Sequence, residues 1–317
     1  MQLTTETLNK LSELALLAAQ QAGKYIQSVD RTLLETHFKA AGSSQSAQVV
    51  TEVDFTCQEI ILDILQVSVE KYDLAVLSEE NSNEERAHLH SRLHKDYFWC
   101  IDPLDGTLPF IEGGDGYAVS IALVNKFGQS EVAAIHHPTN NTSYHTLIDK
   151  TGVSHCYKNG LLLVENSAQN RSMAMPKQEL TVQAFTFYTD RSFVEHFQYP
   201  LLMKELVKLA KFLGYEKFEI KSDGGAVINA VSVITTHNNC ASCYIKLPKT
   251  QLGGGSLWDF SATACLAKAT NRWCSDINGD ALDLNRPDST YMNHRGIIFA
   301  SNTVLASKLI ALCKSII

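Results

Sequence analysis

The stretch Trp99–Thr107 reads W-C-I-D-P-L-D-G-T, and it dictates a strand that ends in a tight, acid-bearing turn. Tyr97 to Ile101 is a run of aromatic and apolar residues of the kind that builds a buried strand. Pro103 then fixes φ and removes a backbone donor, while Gly106 tolerates a conformation that other residues avoid. Asp102 and Asp105, three residues apart around such a turn, can converge on one point, and the Leu104 carbonyl between them can face the same way. Two carboxylates and a carbonyl make a hard, all-oxygen donor set, which suits Mg²⁺. Gly106 and Thr107 follow with backbone N–H groups that would meet a phosphate at a helix start. The same residue types also build ordinary Asx turns, so the hexapeptide alone is compatible with a plain connection between strands.

Around this turn the apolar pattern changes period. Leu8, Leu11, Ala15, Ala18, Ala22, Tyr25 and Ile26 recur in steps of three and four and predict a helix over Thr5 to Ser28, capped by Thr4 or Thr5. Ala41 to Gln48 reads as a loop. A second helix is expected from about Asp54 to Glu70, with Phe55, Ile61, Leu62 and Leu65 turned inward. Strands are expected over Leu74–Leu77, Tyr97–Ile101, Tyr117–Val124 and Val132–His136, forming an antiparallel sheet. Beyond about residue 160 the pattern alternates. Helices are expected at Leu201–Leu213, Gly225–Ile234, Trp258–Ala269 and from Thr303, with strands near Cys243–Leu247 and Gly296–Ala300. The fold class is therefore α/β, with an N-terminal α+β subdomain over residues 1–165, a C-terminal α/β subdomain over residues 166–317, and a junction near Asn166 to Lys177.

Composition limits what such a chain can do. Apolar residues make up 45% and charged residues 19% of 317, enough for a large core and unlike disordered or coiled-coil sequences. The formal charge is −7, so nothing global attracts a nucleic acid polymer or an anionic membrane. An acidic protein that handles an anionic substrate needs a local positive element, such as a metal ion. Met1 to Lys10 is polar, and no apolar run approaches the roughly 20 residues of a membrane span. The expectation is a cytoplasmic protein whose eight cysteines are reduced, buried thiols.

Other acidic positions add to the turn. Glu79 and Glu80 follow the strand Leu74–Leu77, although the polar Asn81–Glu85 would equally suit a solvated acidic loop. Asp259 follows Trp258 at a helix start after Gly253-Gly254-Gly255, where a carboxylate also complements the helix dipole. Cys240 and Cys243 have redox spacing but lack an activating environment in the sequence. His88, His90 and His94 read as a solvated face, and His136-His137-Pro138 as a structural strand end.

Taken together, Asp102-Pro103-Leu104-Asp105-Gly106-Thr107 resembles the signature of the inositol monophosphatase superfamily of metal-dependent, lithium-sensitive phosphatases. Val50-Thr51-Glu52-Val53-Asp54 resembles its V-T-x-x-D segment, Ser78-Glu79-Glu80 its S/G-E-E segment, and Trp258-Asp259 with Ala262 its W-D-x-x-A segment. The resemblance implies a layered αβαβα sandwich of the sugar-phosphatase type. It implies that Glu79, Asp102 and the Leu104 carbonyl hold a first Mg²⁺, that Asp102, Asp105 and Asp259 hold a second, and that a third, weaker ion touches Glu79. It further implies that the Gly106 and Thr107 amides hold phosphate oxygens, and that Thr107, paired with Asp54, works with Glu79 to activate the attacking water. Family members are often dimers, which leaves a homodimer open, and lithium sensitivity is implied in the same way.

Substrate features are fewer. Tyr291-Met292-Asn293-His294-Arg295-Gly296-Ile297 resembles the M-N-x-x-G segment of 3′(2′),5′-bisphosphate nucleotidases, and Ile121-Ala122-Leu123 leans the same way. Lys246 falls near the place where inositol-specific members carry a glutamate, and a cation there would suit a second phosphate; a solvated lysine at a strand end is the plainer alternative. Gly224 and Gly225, in Ser222-Asp223-Gly224-Gly225, fall where nucleotidases carry a turn near the base. Leu108-Pro109 and Thr270-Asn271 depart from the family's Lys-Glu and Gly-Gly. The implied activity is Mg²⁺-dependent hydrolysis of a small phosphate ester, first among them the 3′-phosphate of 3′-phosphoadenosine 5′-phosphate. The alternatives are an inositol-phosphate or sugar-phosphate phosphatase of the fructose 1,6-bisphosphatase kind, and a non-catalytic binding protein on the same fold.

Overall fold

The computed structural model describes residues 2–34, 36–38, 49–163, 183–237 and 239–317. The loop expected over Ala41–Gln48 and the junction expected over Asn166–Lys177 lie outside them. Among the described residues the α-helices are α1 (Thr5–Ser28), α2 (Glu52–Tyr72), α3 (Thr107–Ile111), α4 (Tyr199–Phe212), α5 (Ala226–Ile234), α6 (Leu257–Ala269) and α7 (Thr303–Ile316). Strands β1 (Thr36–Phe38) and β2 (Val49–Thr51) form a short antiparallel pair. A seven-stranded sheet follows in sequence order: β3 (Ala75–Ser78), β4 (Tyr97–Asp105), β5 (Ala118–Asn125), β6 (Ser130–His137), β7 (Thr142–Ile148), β8 (Ser154–Lys158) and β9 (Leu161–Leu162). The remaining strands are β10 (Ala184–Tyr188), β11 (Lys217–Lys221), β12 (Ala241–Lys246), β13 (Trp273–Ser275) and β14 (Ile297–Ala300). They form a five-stranded sheet in the order β11-β10-β12-β14-β13.

Side-chain alternation explains how the sheets become layers. On β4, Trp99 and Ile101 pack with Leu11, Ala15, Cys57 and Ile61 of α1 and α2, while Phe98 and Cys100 pack with Val227, Ala230, Leu266 and Ala267 of α5 and α6. On β12, Tyr244 joins that same α5–α6 layer, whereas Cys243 and Ile245 face Leu202, Leu206, Leu305 and Leu309 of α4 and α7. The order is thus helix, sheet, helix, sheet, helix, the αβαβα sandwich the resemblance implies. Trp99 is fully buried and its indole N–H donates to Ser68 Oγ at 3.0 Å. Truncating it to alanine should cost about 3–5 kcal/mol of stability.

Two expectations are corrected. The sheet is not wholly antiparallel: β3 pairs with β4 in parallel, and antiparallel pairing begins at β4–β5. The crossover from β3 to β4 runs through residues 79–96, long enough to return the chain in the same direction. Phe55 is also exposed rather than turned inward. Val53, Cys57, Ile61 and Leu65, four residues apart, take the buried stripe of α2. Phe55 lies two residues from Val53, about 200° around the helix. Among the described residues no helix is long and apolar enough to cross a membrane.

Candidate metal and phosphate site

A bulge in β4 creates the acid cluster. Asp102 pairs with Ser120 of β5, and Asp105 with Ala118, so three steps on β4 oppose two on β5. In a regular strand, residues three apart point to opposite faces. The extra residue restores the parity, and Asp102 and Asp105 emerge on one face, toward α5 and α6. Pro103, which cannot join the ladder, sits inside the irregularity. Asp102 Oδ1 accepts the Leu104 N–H at 3.1 Å, which closes the turn.

Asp259 arrives from the other side. It is the third residue of α6 and closes a capping box with Ser256, whose N–H donates to Asp259 Oδ2 at 3.1 Å. Ser120 Oγ donates to the Trp258 carbonyl at 3.3 Å and ties this first turn to β5. Asp102, Asp105 and Asp259 each place a carboxylate oxygen within 4.8 Å of the others, and among the described residues no other such group of metal-binding side chains occurs. Glu79 stands outside that group of three. It follows Ser78, whose partner in the parallel register is Ile101, the residue before Asp102, and it begins a 3₁₀ turn. Its charge acts on Asp54, Asp105 and Asp259.

The electrostatics fit a divalent cation. Burial and then the Asp259 charge push the Asp105 carboxyl well above the usual carboxylate range, and its N–H bonds and Lys246 only partly offset this. Burial raises Asp259 as well; Lys246 works against the shift and Glu79 adds to it. Crowded, desolvated carboxylates of this kind repel one another, and an all-oxygen set of three carboxylates is the donor chemistry that Mg²⁺ takes.

Asp54 forms the next element. Its Oδ2 accepts the Thr51 N–H at 2.8 Å and the Thr51 hydroxyl at 2.7 Å, closing the capping box of α2. Its Oδ1 accepts the Thr107 hydroxyl at 2.9 Å, and the same hydroxyl lies 3.2 Å from the Leu104 carbonyl. Burial pushes Asp54 up to about 6, with the Thr51 bonds opposing and Glu79 reinforcing the shift.

Glycines let the backbones close around Asp105. Gly106 has φ +83° and caps α3, and a Cβ there would lie 2.6 Å from the Gly116 carbonyl oxygen. Gly225 N donates to that same carbonyl at 2.7 Å, and a Cβ on Gly225 would lie 2.4 Å from Asp105 Oδ2. Asp105 in turn accepts the Ala226 N–H at 3.1 Å and the Val227 N–H at 2.8 Å, so it holds the N-terminus of α5. Beyond this contact lies a cavity of about 760 Å³, whose lining includes Gly116, Tyr188, Lys221, Asp223, Gly224 and Asn229.

Lys246 is not the solvated strand-end lysine that the plainer alternative describes. It is 9% exposed and its Nζ lies 2.7 Å from Asp190 Oδ2 and 5.4 Å from the centre of the Phe260 ring. Burial alone would depress its ammonium, but Asp190 and Asp259 outweigh that and hold it above the usual lysine value. Asp190 also accepts the Tyr244 hydroxyl at 2.6 Å. The sequence reading did not single out Asp190. The signal that could have found it is the alternation of Phe185 and Phe187, which marks β10 and places Asp190 two residues past its end.

Of the remaining candidates, His137 lines the cavity. Cys243 is buried and Cys240 half-buried, both as free thiols. His90 Nδ1 accepts the Arg92 N–H at 3.1 Å, and the buried His136 pairs with Ser143 Oγ at 2.8 Å, a structural role. Burial depresses the His136 imidazole to about 4.

The family model described as "Inositol monophosphatase family" matches residues 7–317. The 3′(2′),5′-bisphosphate nucleotidase CysQ of Haemophilus influenzae is 35% identical over 146 residues, which is 45% of this chain and 49% of that protein. The Nus factor SuhB of Escherichia coli is 31% identical over 134 residues, 42% of this chain and 46% of that protein. The chain thus spans about half the length of the curated relatives it matches. Among solved structures, the extragenic suppressor protein suhB of Bartonella henselae superposes with a TM-score of 0.68 at 19% identity, covering 97% of this chain and 100% of that one.

Proposed function

The chain belongs to the inositol monophosphatase family, and from that premise we propose that it is a Mg²⁺-dependent phosphomonoesterase acting on a small phosphate ester. The observation that carries this reading is the convergence of Asp102, Asp105 and Asp259 to within 4.8 Å, beside the Thr107–Asp54 pair. In this reading Glu79, Asp102 and the Leu104 carbonyl hold one ion, and Asp102, Asp105 and Asp259 hold a second, with Asp102 shared. Bound cations would supply positive charge to the phosphoryl oxygens and lower the pKa of a water. The Gly106 and Thr107 amides orient the phosphate, at the start of α3. Thr107 takes a proton from the attacking water as its own hydroxyl proton moves to Asp54, whose raised affinity for a proton suits that role. The Glu79 charge raises the proton affinity of Asp54, and as a ligand Glu79 would help hold the cation that acidifies the attacking water.

Within this class we favour a nucleoside 3′,5′-bisphosphate, such as 3′-phosphoadenosine 5′-phosphate, over inositol or sugar phosphates. By the resemblance Lys246 falls near the place where inositol-specific members carry a glutamate, and its buried ammonium, paired with Asp190, supports a second phosphate that would share it. The cavity beyond Gly224 and Gly225 is large enough for the nucleoside, and its lining sets Asp115, Glu219 and Asp223 against one lysine, Lys221, which favours a nucleoside over a phosphate there. The matching relative named as a bisphosphate nucleotidase supports the same choice. Side-by-side phosphate-release assays on this nucleotide, inositol 1-phosphate and fructose 1,6-bisphosphate, with and without Mg²⁺, test both levels. No Mg²⁺-dependent release from any of them would turn the reading to a binding protein. Preferred turnover of inositol phosphate would retain the phosphatase and remove the nucleotide.

A further inference from the structure

The ligand residues of the candidate centre come from chain segments far apart in sequence, and one side chain outside the centre ties two of them together. Glu84 lies five residues beyond Glu79, in a 3₁₀ turn, and is half-buried. One of its carboxylate oxygens accepts the Ser289 hydroxyl, and the other accepts both the Thr290 N–H, at 2.9 Å, and the Thr290 hydroxyl, at 2.7 Å. Ser289 and Thr290 are buried and belong to a strap, residues 285–292, that runs along the start of α6. The Thr290 carbonyl accepts the Leu257 N–H at 2.9 Å, Tyr291 forms a β-bridge with Ser256, and Met292 N–H donates to the Gly255 carbonyl at 2.9 Å. Ser256 is the capping partner of Asp259.

At the other end the link is equally short. The Glu79 carbonyl accepts the Ser82 N–H at 3.1 Å and the Ser82 hydroxyl at 2.7 Å, so the turn from Glu79 to Ser82 is closed on itself, two residues before Glu84. Arg92, fully buried, grips the same strap through the Asn285 side chain and the Arg286 carbonyl. Hydrogen bonds joined by short stretches of backbone, Ser82 to Glu84 and Ser256 to Leu257, therefore connect the Glu79 turn through Glu84 and Ser289–Thr290 to the Ser256–Asp259 cap. A carboxylate that accepts three hydrogen bonds from one buried segment fixes position and direction together, which a single apolar contact does not.

We propose that Glu84 is a positioning residue for the metal centre: through the 285–292 strap it sets the separation between Glu79 and Asp259, and with it the affinity for divalent cations. The proposal rests on the reading of Glu79 and Asp259 as ligands of one centre. Groups hydrogen-bonded directly to metal-ligating side chains typically contribute 10- to 100-fold in metal affinity, and Glu84, one link further away, should act at the lower end of that range.

The test is calorimetric titration of the full-length chain with Mg²⁺ and with Mn²⁺, alongside melting curves without metal. Glu84→Ala should weaken cation binding by roughly 10-fold, and Glu84→Gln, which keeps one acceptor for Thr290, should fall between it and the wild type. Turnover of Glu84→Ala should recover when Mg²⁺ is raised, since the ligands themselves are intact. Wild-type affinity in folded Glu84→Ala would overturn the proposal, even if its melting temperature fell. Should that variant not fold, the double variant Ser289→Ala/Thr290→Val decides: several-fold weaker binding supports the strap, and unchanged binding overturns it. A wild-type chain that binds neither cation would remove the metal reading itself, a failure distinct from equal binding by wild type and variant.

Discussion

The Thr107 hydroxyl donates to Asp54 Oδ1 at 2.9 Å across 53 residues of sequence, while the other Asp54 oxygen is held by Thr51. One carboxylate thus caps α2 and aims the threonine at the start of α3. Asp54→Asn keeps an acceptor for Thr107 but loses the basic oxygen that would take its proton. We expect kcat to fall by roughly 10²- to 10⁴-fold, with divalent-cation affinity within a few-fold of wild type. Thr107→Ala should behave alike and Thr107→Ser should retain most activity. Steady-state kinetics with calorimetric metal titration separate the two quantities. A near-normal kcat in Asp54→Asn would remove the proton-transfer role.

The pH dependence of stability follows from the buried acids. In the folded chain burial raises Asp54 to about 6, raises Asp105 well above the ordinary range, and raises Asp259. In the unfolded chain such groups release their proton near about pH 4. These three groups therefore bind more protons in the folded state above that value, and their contribution to the cation-free protein is lost as pH rises from about 4 through 6 and beyond, while buried His136, depressed to about 4, acts the other way up to about pH 6.5. Ligands must be deprotonated to hold a cation, so Mg²⁺ should raise the melting temperature more at about pH 8 than at about pH 5. The acids are read above the histidine range: a melting temperature without cation that climbs between about pH 7 and about pH 8 would contradict the assignment.

Asp102→Asn removes one charge from this crowded set. The cation-free variant should melt at or above the wild-type temperature near pH 8, because like-charge repulsion is relieved, yet it should lose metal-dependent turnover. Retention of a near-normal rate would refute the shared role of Asp102.

How far the sequence reveals this arrangement depends on how local each feature is. Asp102, Asp105 and Gly106 are legible because proline and glycine punctuate a buried strand within six residues. The bulge that turns both acids to one face is a register event between β4 and β5; Pro103 marks its place on β4, but only the pairing with β5 shows that one extra residue is inserted. Asp259 reads locally as a helix-start acid, which it also is, and only the resemblance joins it to the distant turn. Asp190 and Lys246 meet because β10 and β12 pair in parallel with Tyr188 opposite Tyr244, and that register extends two residues to the ion pair. Parallel pairing of strands more than fifty residues apart leaves no local trace. Helix periodicity found α1 correctly and misplaced Phe55, because on α2 the polar Asp54 takes an inward position that a count of apolar residues gives to its neighbour.

The Lys246–Asp190 pair is accessible to a double-mutant cycle. Both charges are largely withdrawn from water, at 11% and 23% side-chain exposure. Removing one partner leaves the other uncompensated, so Lys246→Met should destabilise by about 1–3 kcal/mol, less than a fully buried pair would. Asp190→Asn in the same chain should recover part of that loss. In kinetics, Lys246→Met should raise KM for 3′-phosphoadenosine 5′-phosphate more than for inositol 1-phosphate. Equal effects on the two substrates would remove the second-phosphate role of Lys246.

Gly225 offers the sharpest steric test. Its amide is bonded to the Gly116 carbonyl, and a Cβ would approach Asp105 Oδ2 to 2.4 Å and Gly106 Cα to 2.9 Å. The carboxylate cannot swing away freely, since the Ala226 and Val227 N–H groups hold both of its oxygens. Gly225→Ala must therefore displace either Asp105 from the cluster or the start of α5 from Asp105. Overpacking of this kind costs about 1–3 kcal/mol in stability. A shift of a few tenths of an ångström in a ligand should in addition weaken divalent-cation binding. The two effects part in the chain with cation removed, where melting reports the packing cost alone and a Mn²⁺ titration reports the ligand. Wild-type Mn²⁺ affinity in Gly225→Ala would mean that α5 yields and that Asp105 keeps its place.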